Sequence, residues 1–248
     1  MSSKKLFNYV VVIPARYNSS RLPGKLLLKL GKETVLEKVV KICLKVVTRE
    51  KLIIATDNKL IFNFCKKKAF PVMMTSKNCL TGSDRVYEIA KKIKRKFYIN
   101  VQGDEILLNP KTISKVINFF KKNRDTKVIN CYTEILREKE LRDTSIIKTI
   151  FDKNKNLKYM SRSPIPGNKL NKFVKAYKQV CVYGFNRNSI LFFGKKKNKS
   201  HFEKIEDIEI LRFIENSINV KMIKTTGSEI SIDTYQDYLK AKKIFNVK

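Results

Sequence analysis

The first half of the chain alternates short apolar runs with segments of helical periodicity, and this alternation limits the fold more than any other feature. The runs are rich in β-branched and aromatic residues, and the predicted strands are Tyr9–Ile13, Lys51–Thr56, Phe70–Thr75 and Phe97–Gln102. The segments between them predict helices, as in Glu33–Val47, and begin at capping residues such as Asp57-Asn58, Gly82-Ser83-Asp84 and Asn109-Pro110. The pattern is typical of a doubly wound, mostly parallel α/β sheet, which binds ligands at the carboxyl ends of its strands.

The second half has a more mixed pattern. Predicted strands are Lys127–Tyr132, Ile146–Phe151, Leu157–Ser161 and Val180–Phe185, and predicted helices are Phe202–Glu215 and Thr234–Phe245. Some of these strands are expected to be antiparallel. No repeat or low-complexity linker divides the sequence. We therefore predict one α/β domain over residues 1–248, with a strand-rich lobe inserted at about residues 127–200.

A polar loop with three cations follows the first predicted strand. It reads Pro14-Ala15-Arg16-Tyr17-Asn18-Ser19-Ser20-Arg21-Leu22-Pro23-Gly24-Lys25. A loop at the carboxyl end of a parallel strand exposes backbone N–H groups, and cations and hydroxyls add further donors, so this loop could hold a triphosphate. It matches neither the Walker A sequence nor the dinucleotide-binding glycine pattern. For Lys25 alone, an exposed surface lysine is the ordinary alternative.

Further motifs follow this loop in a fixed order. They are Ala55-Thr56-Asp57, Thr81-Gly82-Ser83-Asp84-Arg85, Asn100-Val101-Gln102-Gly103-Asp104-Glu105, Ser161-Arg162-Ser163-Pro164-Ile165-Pro166, Val182-Tyr183-Gly184, Phe202-Glu203-x-x-Glu206-x-x-Glu209-x-Leu211-Arg212 and Ile232-Asp233-Thr234. From about Tyr9 to about Ala241, this series resembles the sugar-acid cytidylyltransferases, in particular the 3-deoxy-manno-octulosonate (Kdo) cytidylyltransferase, or CMP-Kdo synthetase, family. The resemblance implies a nucleotide-diphospho-sugar transferase fold, magnesium, and CTP and a free 2-keto-3-deoxy sugar acid as substrates. It also implies a homodimer made through the second-half lobe. The product of the reaction would serve lipopolysaccharide or capsule synthesis.

The resemblance assigns nucleotide binding mainly to the first half of the chain. The implied residues are Ala15, Arg16, Ser19, Arg21, Lys25, Ser76, Gly82, Ser83, Arg85 and Gln102. Arg16, Arg21 and Lys25 would hold the triphosphate and stabilise the leaving pyrophosphate, so they are expected to be catalytic together with Asp104. For Ser83 taken alone, an ordinary helix N-cap is an equally good interpretation.

Two aspartates are the expected magnesium ligands. Asp104 follows the fourth predicted strand, and Asp233 comes from the far end of the chain. Magnesium prefers one or two carboxylates together with phosphate oxygens and water, so this pair suits it. Separately, each aspartate could be a turn or cap residue.

The sugar is expected to contact the second half of the chain. The implied residues are Arg162, Gln179, Tyr183, Glu206 and Glu209. Glu203, Glu206 and Glu209 recur every three residues on the predicted Phe202–Glu215 helix, where a solvated acidic face is the alternative to sugar binding. For Arg162 and Tyr183 the alternative is burial with a local partner.

The sequence departs from the family at two places beside the expected site. Lys178-Gln179 replaces the usual Arg-His, and Ile106 replaces a proline after Gly-Asp-Glu. A glutamine amide is neutral and offers both a donor and an acceptor. The sugar pocket is therefore expected to differ, and the same reaction on another acid, such as 8-amino-Kdo or a nonulosonic acid, stays open.

Composition bears on the remaining classes of function. The net charge of +32 allows a nucleic-acid-binding protein, but no recognition motif or aromatic interleaving accompanies the lysines, so small anionic substrates and no nucleic acid are expected. A sugar-1-phosphate nucleotidyltransferase would need a glycine-rich first loop, and no glycine lies between Ala15 and Leu22.

The five cysteines are expected mostly in the core; they are Cys43, Cys65, Cys79, Cys131 and Cys181. No run is long enough to insert into a membrane, which predicts a cytoplasmic protein.

Overall fold

The computed structural model describes residues 7–19, 21–196, 198–226 and 231–246. Ser20 of the first loop lies outside these residues. The strands are β1 (Tyr9–Ala15), β2 (Lys29–Leu30), β3 (Glu33–Thr34), β4 (Leu52–Thr56), β5 (Val72–Met74), β6 (Phe97–Val101), β7 (Val128–Ile135), β8 (Lys148–Phe151), β9 (Leu157–Ser161), β10 (Ala176–Asn186) and β11 (Val220–Lys224). The helices are α1 (Val35–Leu44), α2 (Lys59–Lys67), α3 (Gly82–Lys92), α4 (Pro110–Lys122), α5 (Glu138–Arg142), α6 (Arg187–Lys195), α7 (His201–Glu206), α8 (Leu211–Glu215) and α9 (Tyr235–Asn246).

The central sheet has the strand order β11-β7-β10-β6-β1-β4-β5. Strand β1 pairs in parallel with both β4 and β6, and β4 pairs in parallel with β5. The chain thus moves outward from β1 through β4 to β5 and then returns to β6 on the other side of β1. This reversal opens a crevice at the carboxyl ends of β1 and β6, which is the usual ligand site of such sheets.

Two apolar cores cover the two faces of the sheet. In β1, Val11 and Ile13 belong to the core that includes α1 and α4, whereas Val10 and Val12 belong to the core that includes α3 and α6. All seven residues of β1 are buried, because a central parallel strand is covered on both faces. The predicted mostly parallel α/β fold is confirmed, and the first-half strands and helices form within a few residues of their predicted bounds.

The strands of the second half continue the same sheet. Strand β10 is antiparallel to both β6 and β7, and the β8–β9 hairpin attaches to it through a pairing of Lys178 with Lys148. A bulge interrupts β10 between Val180 and Tyr183. The buried Asn130 side chain donates 3.1 Å hydrogen bonds to the Val180 and Val182 carbonyl oxygens at this irregularity. Asn130 thereby binds backbone groups that the interrupted ladder leaves over.

The predicted Phe202–Glu215 helix is wrong as a single element. It divides into α7 and α8, and Asp207 between them has a left-handed backbone, with φ of 52°. Tertiary contacts outweigh the amphipathic pattern. The buried Glu203 carboxylate pairs with the Arg212 guanidinium, and the intervening turn buries Ile208 and Ile210. The three glutamates therefore do not share one solvated helical face.

Within the described part of the chain, no helix has the length and apolar character needed to cross a lipid bilayer.

Gly194 lets helices α3 and α6 approach closely. A Cβ atom at this position would lie 2.0 Å from Cγ of the Tyr87 ring. We expect Gly194→Ala to lower the free energy of unfolding by about 1–3 kcal/mol, despite the higher helix propensity of alanine, because the ring or a helix must shift. Urea denaturation measures the change.

Gly167→Ala is the control, because a Cβ atom there would have no neighbour within 4 Å. If both variants were as stable as the wild type, this close packing of α3 against α6 would be contradicted.

Candidate active site

A cavity of about 430 Å³ lies where the topology places the crevice. Pro14 and Arg16 line it from the end of β1, and Gln102, Gly103 and Asp104 line it from the end of β6. Its other walls come from the start of α3, the middle of β10, the segment around α7 and the C-terminal segment. The predicted residues that line it are Arg16, Lys25, Gly82, Arg85, Gln102, Asp104, Gln179, Tyr183, Glu209 and Asp233.

The loop after β1 folds back on itself before it delivers Lys25. The Tyr17 carbonyl oxygen accepts hydrogen bonds from the backbone N–H groups of Ser19 (3.0 Å) and Gly24 (2.8 Å). Gly24 has φ of 67°, a conformation that glycine adopts without the strain of a side chain. Ser19 is buried within this turn, and Ala15 is buried at the end of β1, so neither side chain lines the cavity.

Lys25 joins both predicted magnesium ligands. Its buried ammonium group contacts Asp104 Oδ2 and lies 3.1 Å from Asp233 Oδ1, and it donates a 2.7 Å hydrogen bond to the Ile232 carbonyl oxygen. Arg21 does not line the cavity, but its guanidinium lies 3.1 Å from Asp233 Oδ1. Two cations of the β1 loop and two carboxylates from two distant parts of the sequence therefore converge at this end of the cavity.

Electrostatics keep this cluster charged. Burial works to lower the pKa of Lys25, but the carboxylates of Asp104 and Asp233 outweigh it and raise the pKa above its usual value. Burial likewise works to raise the pKa of Asp233, but Lys25, followed by Arg21 and Arg16, lowers it. Lys25 and Asp233 thus hold each other in their charged forms.

The donor set fits a magnesium ion. Asp104 and Asp233 supply hard carboxylate oxygens, and their side chains remain 19% and 38% exposed, so a hydrated ion can reach them. Within the described residues, no group of three or more histidine, cysteine, aspartate and glutamate side chains is placed to hold a metal. An ion at this pair would therefore complete its shell with water and phosphate oxygens.

The start of α3 forms a second wall. The Ser83 backbone N–H donates a 3.0 Å hydrogen bond to Glu209 Oε2, and Gln102 Nε2 lies 3.5 Å from Glu209 Oε1. Gly82 permits this approach, because a Cβ atom there would lie 2.6 Å from Gln102 Nε2 and the amide would have to shift. Burial raises the pKa of Glu209 to about 6, although the Ser83 N–H acts in the opposite direction.

Arg85 fixes the ends of β4 and β5 beside this wall. Its guanidinium donates to Asp57 Oδ2 (2.9 Å), to the Thr75 hydroxyl (2.8 Å) and to the Ser76 carbonyl oxygen (3.3 Å). Ser76 itself lines a neighbouring cavity of about 350 Å³ instead of the main one. The Ser83 hydroxyl is buried, and its N-terminal cap role belongs to Thr81, whose side chain accepts from the Asp84 N–H.

Gln179 presents an acceptor whose orientation is set by its neighbours. Asn130 uses its NH2 group on two backbone carbonyls, so its Oδ1 must accept, and Gln179 Nε2 donates to it at 3.0 Å. The Gln179 Oε1 atom is buried and has no hydrogen-bond partner within the described structure. A donor in the cavity would satisfy it. Tyr183 also lines the cavity, and burial raises the pKa of its phenol well above the usual value.

Arg162 and Glu206 are not brought to the cavity. The Arg162 guanidinium donates to the backbone carbonyls of Glu206, Asp207 and Thr144. The Glu206 carboxylate accepts from the Ser161 hydroxyl (2.6 Å) and the Arg162 N–H (2.8 Å). Both side chains hold the turn after α7, so the structure does not place them for the predicted sugar contacts.

Several residues that line the cavity are not among those predicted from the sequence. They are Leu26, Cys79, Leu80, Thr81, Ile147, Cys181, Lys199, Asp207 and Ile208. Cys43, Cys65 and Cys131 are buried, as expected for most of the cysteines, whereas Cys79 and Cys181 are partly exposed and line the cavity. Thr81 was recognisable as part of a motif. Lys199 and Asp207 had no signal, because their place depends on the break between α7 and α8.

Comparisons with known proteins agree with the motif series. The sequence model of the cytidylyltransferase family matches residues 10–225. The 3-deoxy-manno-octulosonate cytidylyltransferases of Fusobacterium nucleatum subsp. nucleatum and Protochlamydia amoebophila are 34% and 31% identical to this chain, covering 92% and 94% of it and 93% and 92% of those proteins. A solved structure of CMP:2-keto-3-deoxy-manno-octonic acid synthetase complexed with CTP matches with a TM-score of 0.89 at 27% identity, covering 96% of this chain and 98% of that one. The family resemblance predicted from the motifs is confirmed.

Glu209 makes the stability of the fold depend on pH. Its carboxyl group takes up a proton near pH 6 in the folded protein, against 4.5 for an ordinary glutamate, so the folded state binds more protons between these values. The resulting stabilisation is complete below the unfolded pKa and is lost as the pH rises through the folded one. Relative to Glu209→Gln, we expect the wild type to gain about 1–2 kcal/mol as the pH falls from about 7.5 to about 4.5.

Chemical denaturation over a series of pH values measures this difference. Glu138→Gln is the control, because the Glu138 side chain is 53% exposed. A stability difference between wild type and Glu209→Gln that stays constant with pH would contradict the raised pKa.

Proposed function

Because this chain belongs to the cytidylyltransferase family, we propose that it transfers the CMP group of CTP to the anomeric hydroxyl of Kdo and releases pyrophosphate. It is thus a nucleotidyltransferase. The observation that carries the proposal is the convergence of Lys25 with Asp104 and Asp233 in a cavity at the reversal point of the sheet. Cations and paired carboxylates beside a crevice are what phosphoryl transfer from a nucleotide requires.

The reaction exchanges one bond at the α-phosphorus of CTP. The anomeric oxygen of the sugar forms a bond to this phosphorus, the bond to the oxygen bridging the α- and β-phosphates breaks, and pyrophosphate leaves with that electron pair. The hydroxyl proton is released. No side-chain nucleophile is needed, so catalysis consists of aligning the two substrates and neutralising charge on the phosphates.

The loop after β1 supplies the cations for this step. Arg16 lines the cavity, Lys25 is buried at its floor, and Arg21 reaches the same aspartate as Lys25. We assign the triphosphate to this loop. The cytosine and ribose are assigned to the wall formed by Gly82, Ser83 and Gln102, where the closeness of Gly82 to the Gln102 amide restricts the shape of the space.

We assign a magnesium ion to Asp104 and Asp233. When bound, it would screen the negative charge of the phosphates and favour departure of pyrophosphate. Lys25 holds the two carboxylates together from the side of the β1 loop, so the protein's own part is to keep both oxygen ligands adjacent.

The sugar is assigned to the wall formed by Gln179, Tyr183 and Glu209. The unpartnered Gln179 Oε1 atom would accept a hydrogen bond from the sugar. Glu209 is ionised above about pH 6 and would accept hydrogen bonds from the sugar hydroxyls. An acceptor at Gln179 also favours the second candidate reaction, on an analogue of Kdo that carries an ammonium group. The exposed apolar side chains of Leu136, Leu170 and Phe173 support the assignment of the lobe at about residues 127–200 to a homodimer interface.

The first test is pyrophosphate release with magnesium present. We expect the protein to use CTP with Kdo and to prefer CTP clearly over ATP, GTP and UTP. Asp104→Asn and Asp233→Asn should each lower turnover at least about a hundredfold, since each removes an ionised oxygen ligand.

Asp125→Asn, in an exposed turn, is the matched control and should keep full activity. A folded protein that binds CTP but releases no pyrophosphate with any 2-keto-3-deoxy acid would overturn the proposed reaction. Near-normal turnover of Asp233→Asn would show that the second metal ligand is assigned wrongly.

Gln179 allows a test of the sugar. We expect the wild type to accept 8-amino-Kdo, because the ammonium group can donate to the oriented amide oxygen. Gln179→His should shift the ratio of kcat/KM values toward ordinary Kdo by about tenfold, as one pocket hydrogen bond is exchanged. Gln236→His, at an exposed position of α9, is the control. An unchanged ratio in Gln179→His would place this side chain away from the differing sugar group.

A further inference from the structure

A second ion pair lines the cavity and has no part in the assignments above. The Lys199 ammonium group contacts Asp207 Oδ1, and both residues lie on the cavity wall, immediately before and after the segment 200–206. The Lys199 and Asp207 side chains are 25% and 70% exposed. The pair is therefore accessible to a ligand that enters the cavity.

The other cations of the cavity are already committed. Within the described residues, the lining cations are Arg16, Lys25, Arg85 and Lys199. Lys25 is bound by two aspartates and a carbonyl oxygen, and Arg85 is bound by Asp57, Thr75 and Ser76, with side-chain exposures of 7% and 4%. Arg16 belongs to the β1 loop assigned to the triphosphate. Lys199 is thus the lining cation that remains for a second anionic substrate.

Arg162 does not compete for this role. Its guanidinium is used on three backbone carbonyls, one of which belongs to Asp207. That contact helps to hold Asp207 in its left-handed turn, next to Lys199. Arg162 therefore positions the ion pair without lining the cavity.

The Lys199 ammonium group can release the Asp207 carboxylate and bind the carboxylate of a ligand instead. Lys199 lowers the pKa of Asp207, with Arg162 and Arg16 contributing in the same direction, so Asp207 stays ionised at neutral pH. The Asp207 side chain is 70% exposed, so water solvates its charge once it leaves the ammonium group, and a partly exposed ion pair of this kind contributes little net stability. A substrate carboxylate can consequently replace the Asp207 side chain at little loss.

We propose that Lys199 binds the carboxylate of the sugar acid, which takes the place of Asp207 on the ammonium group. This inference rests on the proposed function and adds a specificity-determining residue to it. Asp207 then acts as an internal competitor that keeps Lys199 ordered while the sugar is absent. Neutral sugars cannot displace Asp207, so the pair selects for acids.

The experiment compares Kdo with its carboxamide, which keeps the anomeric hydroxyl but has no negative charge. The variants are Lys199→Met, Asp207→Asn and the control Lys204→Met, which removes an exposed lysine of α7. Pyrophosphate release gives kcat and KM for each sugar and for CTP.

We expect Lys199→Met to lower kcat/KM for Kdo at least about tenfold while changing the value for the carboxamide and the KM for CTP less than about twofold. Asp207→Asn, which tolerates the left-handed backbone, should lower the KM for Kdo severalfold because the competitor loses its charge. Lys204→Met should behave as the wild type.

Equal losses on Kdo and its carboxamide, or no loss on Kdo, would overturn the role of Lys199. A rise in the KM for CTP alone would instead assign Lys199 to the nucleotide. If the wild type binds CTP but releases no pyrophosphate with Kdo, the proposed function fails, and the role of Lys199 with it. A variant effect can be read only where the wild type is active, so the two failures are distinct.

Discussion

The functional end of this fold is organised around one buried ammonium group. Lys25 binds Asp104, Asp233 and the Ile232 carbonyl oxygen, which lie 79, 208 and 207 residues away in the sequence. A buried ammonium without these partners would be strongly destabilising, so the C-terminal segment must dock on the turn after β6 for the β1 loop to take this form. The Ile232 N–H donates to the Asp104 carbonyl oxygen at 3.2 Å and joins the same two segments through the backbone. The interaction that closes the fold also brings together the two carboxylates that we propose as magnesium ligands.

Close backbone approach determines the shape of the cavity around this group. A Cβ atom at Gly103 would lie 2.8 Å from the Pro14 carbonyl oxygen, so the turn that carries Asp104 can pack against the end of β1 only with glycine. The absence of a side chain at Gly82 likewise lets the Gln102 amide lie close to the start of α3. The chain has only 8 glycines, and these two line the cavity.

The sequence predicted the first half of the site far better than the second. Strand periodicity and the polar residues after each strand locate Arg16, Gln102 and Asp104, because the carboxyl ends of parallel strands share one edge of the sheet. The partnership of Lys25 with Asp233 needs long-range closure that no local pattern encodes. Glu206 belongs to a repeat of helical spacing, and Arg162 belongs to a family motif. In the structure, however, the side chain of each binds the backbone of the other at the break between α7 and α8. Lys199 and Asp207 meet only because of that break, so no local sequence pattern singles them out.

The charges of the cavity explain how a chain of net charge +32 can bind anions and still release them. The positive field draws anionic substrates toward the protein. Unpaired buried cations would then hold pyrophosphate too tightly for turnover. In the cavity, Lys25, Arg85 and Lys199 each have a carboxylate partner from the protein, namely Asp104 with Asp233, Asp57 and Asp207. An anion that binds Lys199 must therefore compete with Asp207, which lowers its affinity. The protein thus uses a few of its scarce acidic residues where they moderate binding, and leaves the excess lysine charge on the surface.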